Sequence, residues 1–418
     1  MFPRKIGPAP PDQMLTVRIT PLRDVETRQS GQETVKLPML VTIEESEGGH
    51  ALQTLTGALM GCIDRSSSMG GEKWAAAQAA QIQALQGVTP GSEMGVITFN
   101  DQAQLLGLMP GGDKAAAARL EQAIRQTHPG GGTQIGQAIR IALSELAQRG
   151  GAKAIVLISD GQTQEEAACR QLVEEAARAE VPIHVLGTDD VDIELVRFMA
   201  DRTGGSVEYL SRLGAGDLSR FLSQQLQTTQ SVVLQNVRVR LRPAPGGGVS
   251  MQAKAYPDII AFPPSAQEAR LGDLPRGDRL QLYAELTIPT PGYDARLRAL
   301  EADVLYDVPQ HGLRDQQASA FLEVTFLAGA APQQSPEVLR LFQLVKAHQE
   351  MEQAAQAPTP DAAVALMVSA ERRTRIAGDA RKTQVIAGLL DSVRRTNVVS
   401  DAVRKTAVTA GRRTRVVP

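Results

Sequence analysis

Three short pieces, far apart in the chain, carry residue types that can bind a metal ion together. Asp64-Arg65-Ser66-Ser67-Ser68 follows an apolar run, Thr133 follows Gly130-Gly131-Gly132, and Asp160 ends the run Ala154-Ile155-Val156-Leu157-Ile158-Ser159. Each stands just past the C-terminal end of a predicted strand, the edge at which ligands gather in open α/β sheets. Asp64, Ser66, Ser68, Thr133 and Asp160 offer an all-oxygen shell suited to a hard divalent cation such as Mg2+, or else Mn2+ or Ca2+. Two carboxylates and three neutral hydroxyls are too few to enclose the ion, which leaves one position for a ligand from outside. Taken alone, Asp-x-Ser-x-Ser also reads as an Asx-type turn ahead of a helix. Thr133 and Asp160 are what favour the metal.

Other chemistries find less support. The triple glycine is not a phosphate loop, because the Gly-Lys-Ser/Thr of that motif is missing. A serine hydrolase needs a base and an oxyanion hole; Gly-x-Ser-x-Gly is absent and the five histidines are scattered. His128, just before Pro129, reads as a solvated turn residue. Asn100 and Asp101 fall on the same rim as the five oxygen ligands and would tune the site weakly. One ion held mostly by hydroxyls is also a poor activator of water compared with a two-metal site.

The Asp-x-Ser-x-Ser element, the distant Thr133 in a glycine loop and Asp160-Gly161 resemble the metal-ion-dependent adhesion site of von Willebrand factor A domains. The resemblance covers roughly residues 56–231 and departs at Ser67, where many relatives have glycine. It implies that Ser66, Ser68 and Thr133 contact the ion directly and that Asp64 and Asp160 act partly through water. It further implies a Mg2+-dependent interaction protein whose ion captures an Asp or Glu of a protein partner. An alternative within the family is a subunit that assists an AAA+ ATPase, as chelatase-like members do. A metal-assisted hydrolase is the enzymatic alternative, and the reading here is that the chain is not an enzyme.

The elements that must position these residues alternate between strand and helix. Leu59–Ile63, Met94–Phe99, Gln102–Leu108, Ala154–Ser159, Ile183–Leu186 and Val207–Leu210 read as strands. Helical patterns at Lys73–Gln86, Lys114–Gln126, Gln134–Gln148, Glu165–Ala179 and Ile193–Arg202 separate them. Repeated βα units give a doubly wound, mostly parallel sheet over residues 56–231. Residues 1–55 and 232–330 show alternating strands with Gly/Pro turns, and together predict a discontinuous β-sandwich into which the α/β domain is inserted. Over 333–397 the period becomes helical. Ser335-Pro336-Glu337 and Thr359-Pro360-Asp361 each combine a hydroxyl N-cap, a first-turn proline and an acid, and a third helix is expected over Ala380–Arg395. Residues 398–418 are expected to be a basic, flexible tail.

Composition excludes several classes. Across 418 residues, 42% are hydrophobic and 22% charged, the balance of a soluble globular chain with ample core. A net charge of −2 argues against general nucleic-acid binding. Cys62 and Cys169 are too few for a disulfide framework or a zinc site. No signal-peptide pattern follows Met1, and no apolar run is long enough to span a bilayer, so the expected location is the cytoplasm. From Glu371 onward there are 12 basic and four acidic residues, a net of +8 against −10 for the remainder. A basic-basic-Thr-x-aliphatic unit recurs there around Thr374, Thr383, Thr396, Thr406 and Thr414. Such threonines suit a basophilic Ser/Thr kinase, and their phosphorylation would create a handle for a phosphothreonine-reading module such as a forkhead-associated domain.

Overall fold

The structure is a computed structural model that describes residues 14–27, 33–46, 54–160, 163, 165–188, 191–210, 214–329, 331–410 and 412. The chain divides into two compact units, one of Met1–Leu52 with Asn236–Pro418, the other of Gln53–Gln235. The first unit opens with β1 (Leu15–Pro21), β2 (Val25–Thr27) and β3 (Thr34–Glu45).

The second unit follows as β4 (Gly57–Asp64), α1 (Glu72–Leu85), β5 (Glu93–Phe99), β6 (Ala103–Pro110), α2 (Lys114–Gln126) and α3 (Ile135–Ala147). It continues with β7 (Ala152–Ser159), α4 (Glu166–Arg178), β8 (Ile183–Thr188), α5 (Ile193–Thr203), β9 (Val207–Leu210) and α6 (Ala215–Gln230). Its six strands lie in the order β6-β5-β4-β7-β8-β9. All neighbours are parallel except β5 and β6. Every residue of β4 is buried, as expected of a central strand covered on both faces. Successive side chains point to opposite faces. Leu59 and Ile63 join Trp74, Phe221 and Leu226 in one core, while Met60 and Cys62 join Ile139, Val173 and Met199 in the other. Helices α1, α2 and α6 cover the first face; α3, α4 and α5 cover the second. This is the doubly wound sheet that the alternation predicts.

From β4 the chain turns to β5 on one side and later to β7 on the other. The direction of winding therefore reverses at β4, and in such sheets the strand ends beside the reversal form the binding crevice. One helix escaped the sequence reading. α6 sets Leu218, Phe221, Leu222 and Leu226 at helical spacing, but glutamines, serines and threonines surround them and dilute the pattern.

β10 (Val232–Pro243) begins in the second unit and runs on into the first, which continues with β11 (Gly248–Tyr256), β12 (Ile260–Phe262), β13 (Ala269–Pro275), β14 (Arg279–Pro289), β15 (Ala295–Val308) and β16 (Leu313–Leu327). Two five-stranded sheets form, β1-β3-β14-β11-β12 and β13-β10-β15-β16-β2. β3 pairs with β14 from Thr34↔Pro289 to Glu44↔Arg279, so strands from either side of the second unit share a sheet. Helices α7 (Pro336–Ala355), α8 (Pro360–Ile376), α9 (Ala380–Thr396) and α10 (Asp401–Ala410) complete the unit. The two predicted start signals cap α7 and α8: Ser335 accepts from the Val338 amide and Thr359 from that of Ala362. Phe342 of α7 packs on Tyr283 of β14 with ring centroids 6.3 Å apart.

Part of the segment expected to be a flexible basic tail over 398–418 is helical, and residues 411 and 413–418 lie outside the described residues. Residues 401–410 form α10, which buries Val403, Ala407 and Val408, and the Arg412 carbonyl accepts from the Ile259 amide at 2.7 Å. The basic pairs have a structural use: Arg373 and Arg375 end α8 and Arg394 and Arg395 end α9, where positive charge opposes the helix dipole. Thr374, the first threonine of the expected phosphorylation array, is 1% exposed. Its hydroxyl donates to the Glu371 carbonyl and accepts from Thr383 Oγ1. Thr414 lies outside the described residues. Among the described residues no helix is long and apolar enough to cross a membrane.

One buried cation gives the first unit a pH signature. Burial pulls the Lys382 ammonium down to about 8 from its ordinary value near 10.5; Arg340 acts in the same sense, and Asp379 and Asp258 oppose it. Between those two values the unfolded chain binds the proton and the folded chain does not, so stability rises with pH in that window and the full penalty applies below it. Lys382→Met is expected to stabilise the protein at pH 7 by roughly 1–3 kcal/mol, allowing for the lost Asp379 partner. The advantage should shrink as the pH approaches 10. Denaturant melts at pH 7 and pH 10 check this, and an advantage that grows with pH would contradict it.

Candidate metal centre

The rim is built from the end of β4 outward. The Arg65 amide donates to the Phe99 carbonyl at 2.8 Å, carrying the β4–β5 pairing one step past the strand. The Ser66 amide then donates to Asp64 Oδ1 at 2.8 Å, so the Asx turn anticipated as an alternative does form. A short 3₁₀ turn over Ser67–Met69 follows and leads to α1. The Asx turn uses only one oxygen of Asp64. The other, Oδ2, accepts from Ser159 Oγ at the end of neighbouring β7, at 2.6 Å.

Asp64 is wholly buried and Asp160 is 2% exposed. Burial pushes the Asp64 carboxyl above the usual carboxylate range, against the opposing hydrogen bonds from Ser159 and Ser66; the nearby Asp160 raises it further. The hydroxyls connect the two acids. Ser66 Oγ lies 3.0 Å from Ser68 Oγ, and Ser68 Oγ donates to Asp160 Oδ1 at 2.7 Å. Asp160 Oδ2 also receives Lys73 Nζ at 2.6 Å, from the first turn of α1.

The glycine loop is clamped from two sides. The Gly130 amide donates to the Arg65 carbonyl at 2.7 Å, and the Ser67 amide to the Gly131 carbonyl at 3.0 Å. From the turn after β5, Asn100 Nδ2 donates to the Gly130 carbonyl at 2.5 Å, and Asp101 Oδ1 accepts from the Gly132 amide at 2.9 Å. Gly131 has φ +85°, a left-handed conformation that costs a side-chain-bearing residue roughly 1–2 kcal/mol. A Cβ there would also collide with the Asp101 carboxylate. These contacts fix where the loop delivers Thr133, which is buried.

Of the five expected ligands, Asp64, Ser66, Ser68 and Asp160 thus meet in one hydrogen-bonded group. Thr133 follows the clamped glycine loop in sequence, and among the described residues no hydrogen bond joins its hydroxyl to the other four. Asn100 and Asp101, expected to tune the rim weakly, in fact hold the loop, while His128 is exposed and takes no part. Sequence reasoning missed two members. Ser159 hides at the end of an apolar run, where only its hydroxyl marks it. Lys73 lies in a helix whose sequence gives no sign of what its ammonium reaches.

The donor set fits a small hard cation. Neighbouring ligands on an octahedron of 2.0–2.1 Å bonds lie roughly 2.9 Å apart, close to the Ser66–Ser68 separation. Among the described residues no three His, Cys, Asp or Glu side chains cluster as a metal group, so hydroxyls must supply much of any shell.

Comparison with known proteins places this architecture. The family model described as von Willebrand factor type A domain matches residues 59–162. No curated protein sequence matches the chain. Among solved structures, "von Willebrand factor type A from Catenulispora acidiphila" is similar over 97% of this chain and 98% of its own, with a TM-score of 0.75 and 14% identity. The ArnB paralog VWA2 from Sulfolobus acidocaldarius is similar over 96% of this chain and 98% of its own, at a TM-score of 0.61 and 14% identity. The human COPII-coat protein Sec24c is similar over 86% of this chain and 58% of its own, at 0.53 and 13%. At such identities the likeness is one of fold, and it extends through both units. The matched segment carries β4, α1 and β7 around the oxygen-lined rim, so the rim lies within the part of the chain that is similar to the von Willebrand factor type A domain.

Proposed function

We propose that the protein is an interaction protein whose rim binds a divalent cation, Mg2+ by the hardness of its donors, and with it an acidic side chain of a protein partner. The observation that carries this reading is the convergence of Asp64, Ser66, Ser68 and Asp160 at the strand ends where the winding reverses, with the clamped glycine loop that precedes Thr133 beside them. Ser66, Ser68 and Thr133 would hold the ion, with Asp64 and Asp160 behind them. When bound, the ion supplies positive charge that neutral hydroxyls leave under-compensated, and a coordination position open to a carboxylate.

The protein's own residues do the rest. Ser159 and the Ser66 amide fix the Asp64 carboxylate so that it cannot swing into solvent. Ser68 couples the first loop to Asp160, and the Asn100–Asp101 turn holds the glycine loop. This arrangement binds and orients. Binding rather than catalysis is the activity proposed, in the cytoplasm. Of the recurrent threonines, Thr396 is exposed at the end of α9 and follows Arg394-Arg395, which makes it the best-placed acceptor for a basophilic kinase.

Asp64→Asn is expected to leave metal-free stability within about 1 kcal/mol of wild type, because an amide can replace one hydrogen bond while shedding a buried charge. The same variant should lose the rise in melting temperature on adding Mg2+. Thermal unfolding with Mg2+ and with EDTA tests this, and equal responses from Asp64→Asn and wild type would refute the site. Gly131→Ala should weaken the Mg2+ response by displacing Thr133, while Ser67→Gly should preserve it. In pull-downs, partner capture should require Mg2+ and be lost in Thr133→Ala; capture that survives EDTA speaks against a metal bridge. Mass spectrometry after treatment with a basophilic kinase should find phosphate on Thr396 and none on Thr374.

A further inference from the structure

Asp160 is engaged at both oxygens, by Ser68 Oγ on one and by Lys73 Nζ on the other. The ammonium is therefore a cation already seated at an acid that the proposed metal site requires. It stands 2.6 Å from a carboxylate whose side chain has no exposure, while its own side chain is 30% exposed. The Lys73 side chain thus has both a buried partner and a route to solvent along its flexible four-carbon stem. A dication held by Ser66, Ser68 and Thr133 would stand close to this ammonium, and like charges in so confined a place repel.

We propose that Lys73 is a resident competitor for the divalent ion. It neutralises Asp160 when the ion is absent and must yield when the ion binds, which weakens metal binding by the free protein. The inference rests on the reading of the rim as a metal site and adds what sets its affinity. It also gives the partner a second use, since an incoming carboxylate brings the negative charge that lets dication and ammonium coexist. Metal and partner would then bind cooperatively.

The test is isothermal titration of the full chain with MnCl2, for wild type, Lys73→Met, Lys73→Gln and Lys73→Arg, with metal-free melting temperatures read alongside. Lys73→Met removes the charge and keeps the stem; Lys73→Gln removes the charge and keeps a hydrogen-bond donor; Lys73→Arg keeps the charge. Both neutral variants should bind Mn2+ more tightly, on the order of tenfold, and melt at a lower temperature than wild type when metal-free. Lys73→Arg should retain wild-type affinity. Unchanged or weaker Mn2+ binding by both neutral variants, with wild type binding normally, would overturn the inference and leave the metal site standing. Failure of every protein to bind Mn2+ would overturn the metal site, and this inference with it.

Discussion

A carboxylate with no access to solvent stands where two neighbouring parallel strands end, and the rim is arranged around it. Asp64 closes β4 and Ser159 closes β7, and the hydroxyl of one reaches the carboxylate of the other at 2.6 Å. A buried charge persists only when it is paired or fully hydrogen-bonded. Here the Ser66 amide and the Ser159 hydroxyl supply part of what is needed, while burial outweighs them and holds the Asp64 carboxyl above the usual carboxylate range. The fold itself imposes the cost, because β4 is the central strand and is covered on both faces. A bound cation would relieve the same strain, so binding and stability are linked at this residue.

The supporting structure works at longer range. The reversal of winding at β4 opens the strand ends toward three loops: Asp64 to Ser68, the glycine loop before α3, and the segment after β7. The first two loops are each held by more than one element. The first bonds to β5 and to the glycine loop, and the glycine loop also bonds to the turn between β5 and β6. Such cross-bracing lets a set of short polar side chains keep its spacing without metal-like charge at its centre.

Much of this was legible in the sequence, for identifiable reasons. Buried parallel strands write themselves as continuous apolar runs, and β4 and β7 each end abruptly in a polar residue at the sheet edge. The serine and threonine caps of α7 and α8 were equally plain, because a hydroxyl followed by proline and an acid has a local physical meaning. What was missed depends on tertiary placement. α6 is mostly polar and is a helix because four apolar residues meet the sheet. α10 looked like a basic tail, yet Val403, Ala407 and Val408 give it a buried face. Ser159 and Lys73 act across 95 and 87 positions of chain, and no local pattern encodes such a meeting.

The most direct test is crystallographic. Crystals grown with Mn2+ should show, in an anomalous difference map, one peak at roughly 2.1 Å from the hydroxyl oxygens of Ser66, Ser68 and Thr133, with Asp64 and Asp160 beyond them. A map with no peak at this rim, or with the ion bound only elsewhere on the molecule, would contradict the account.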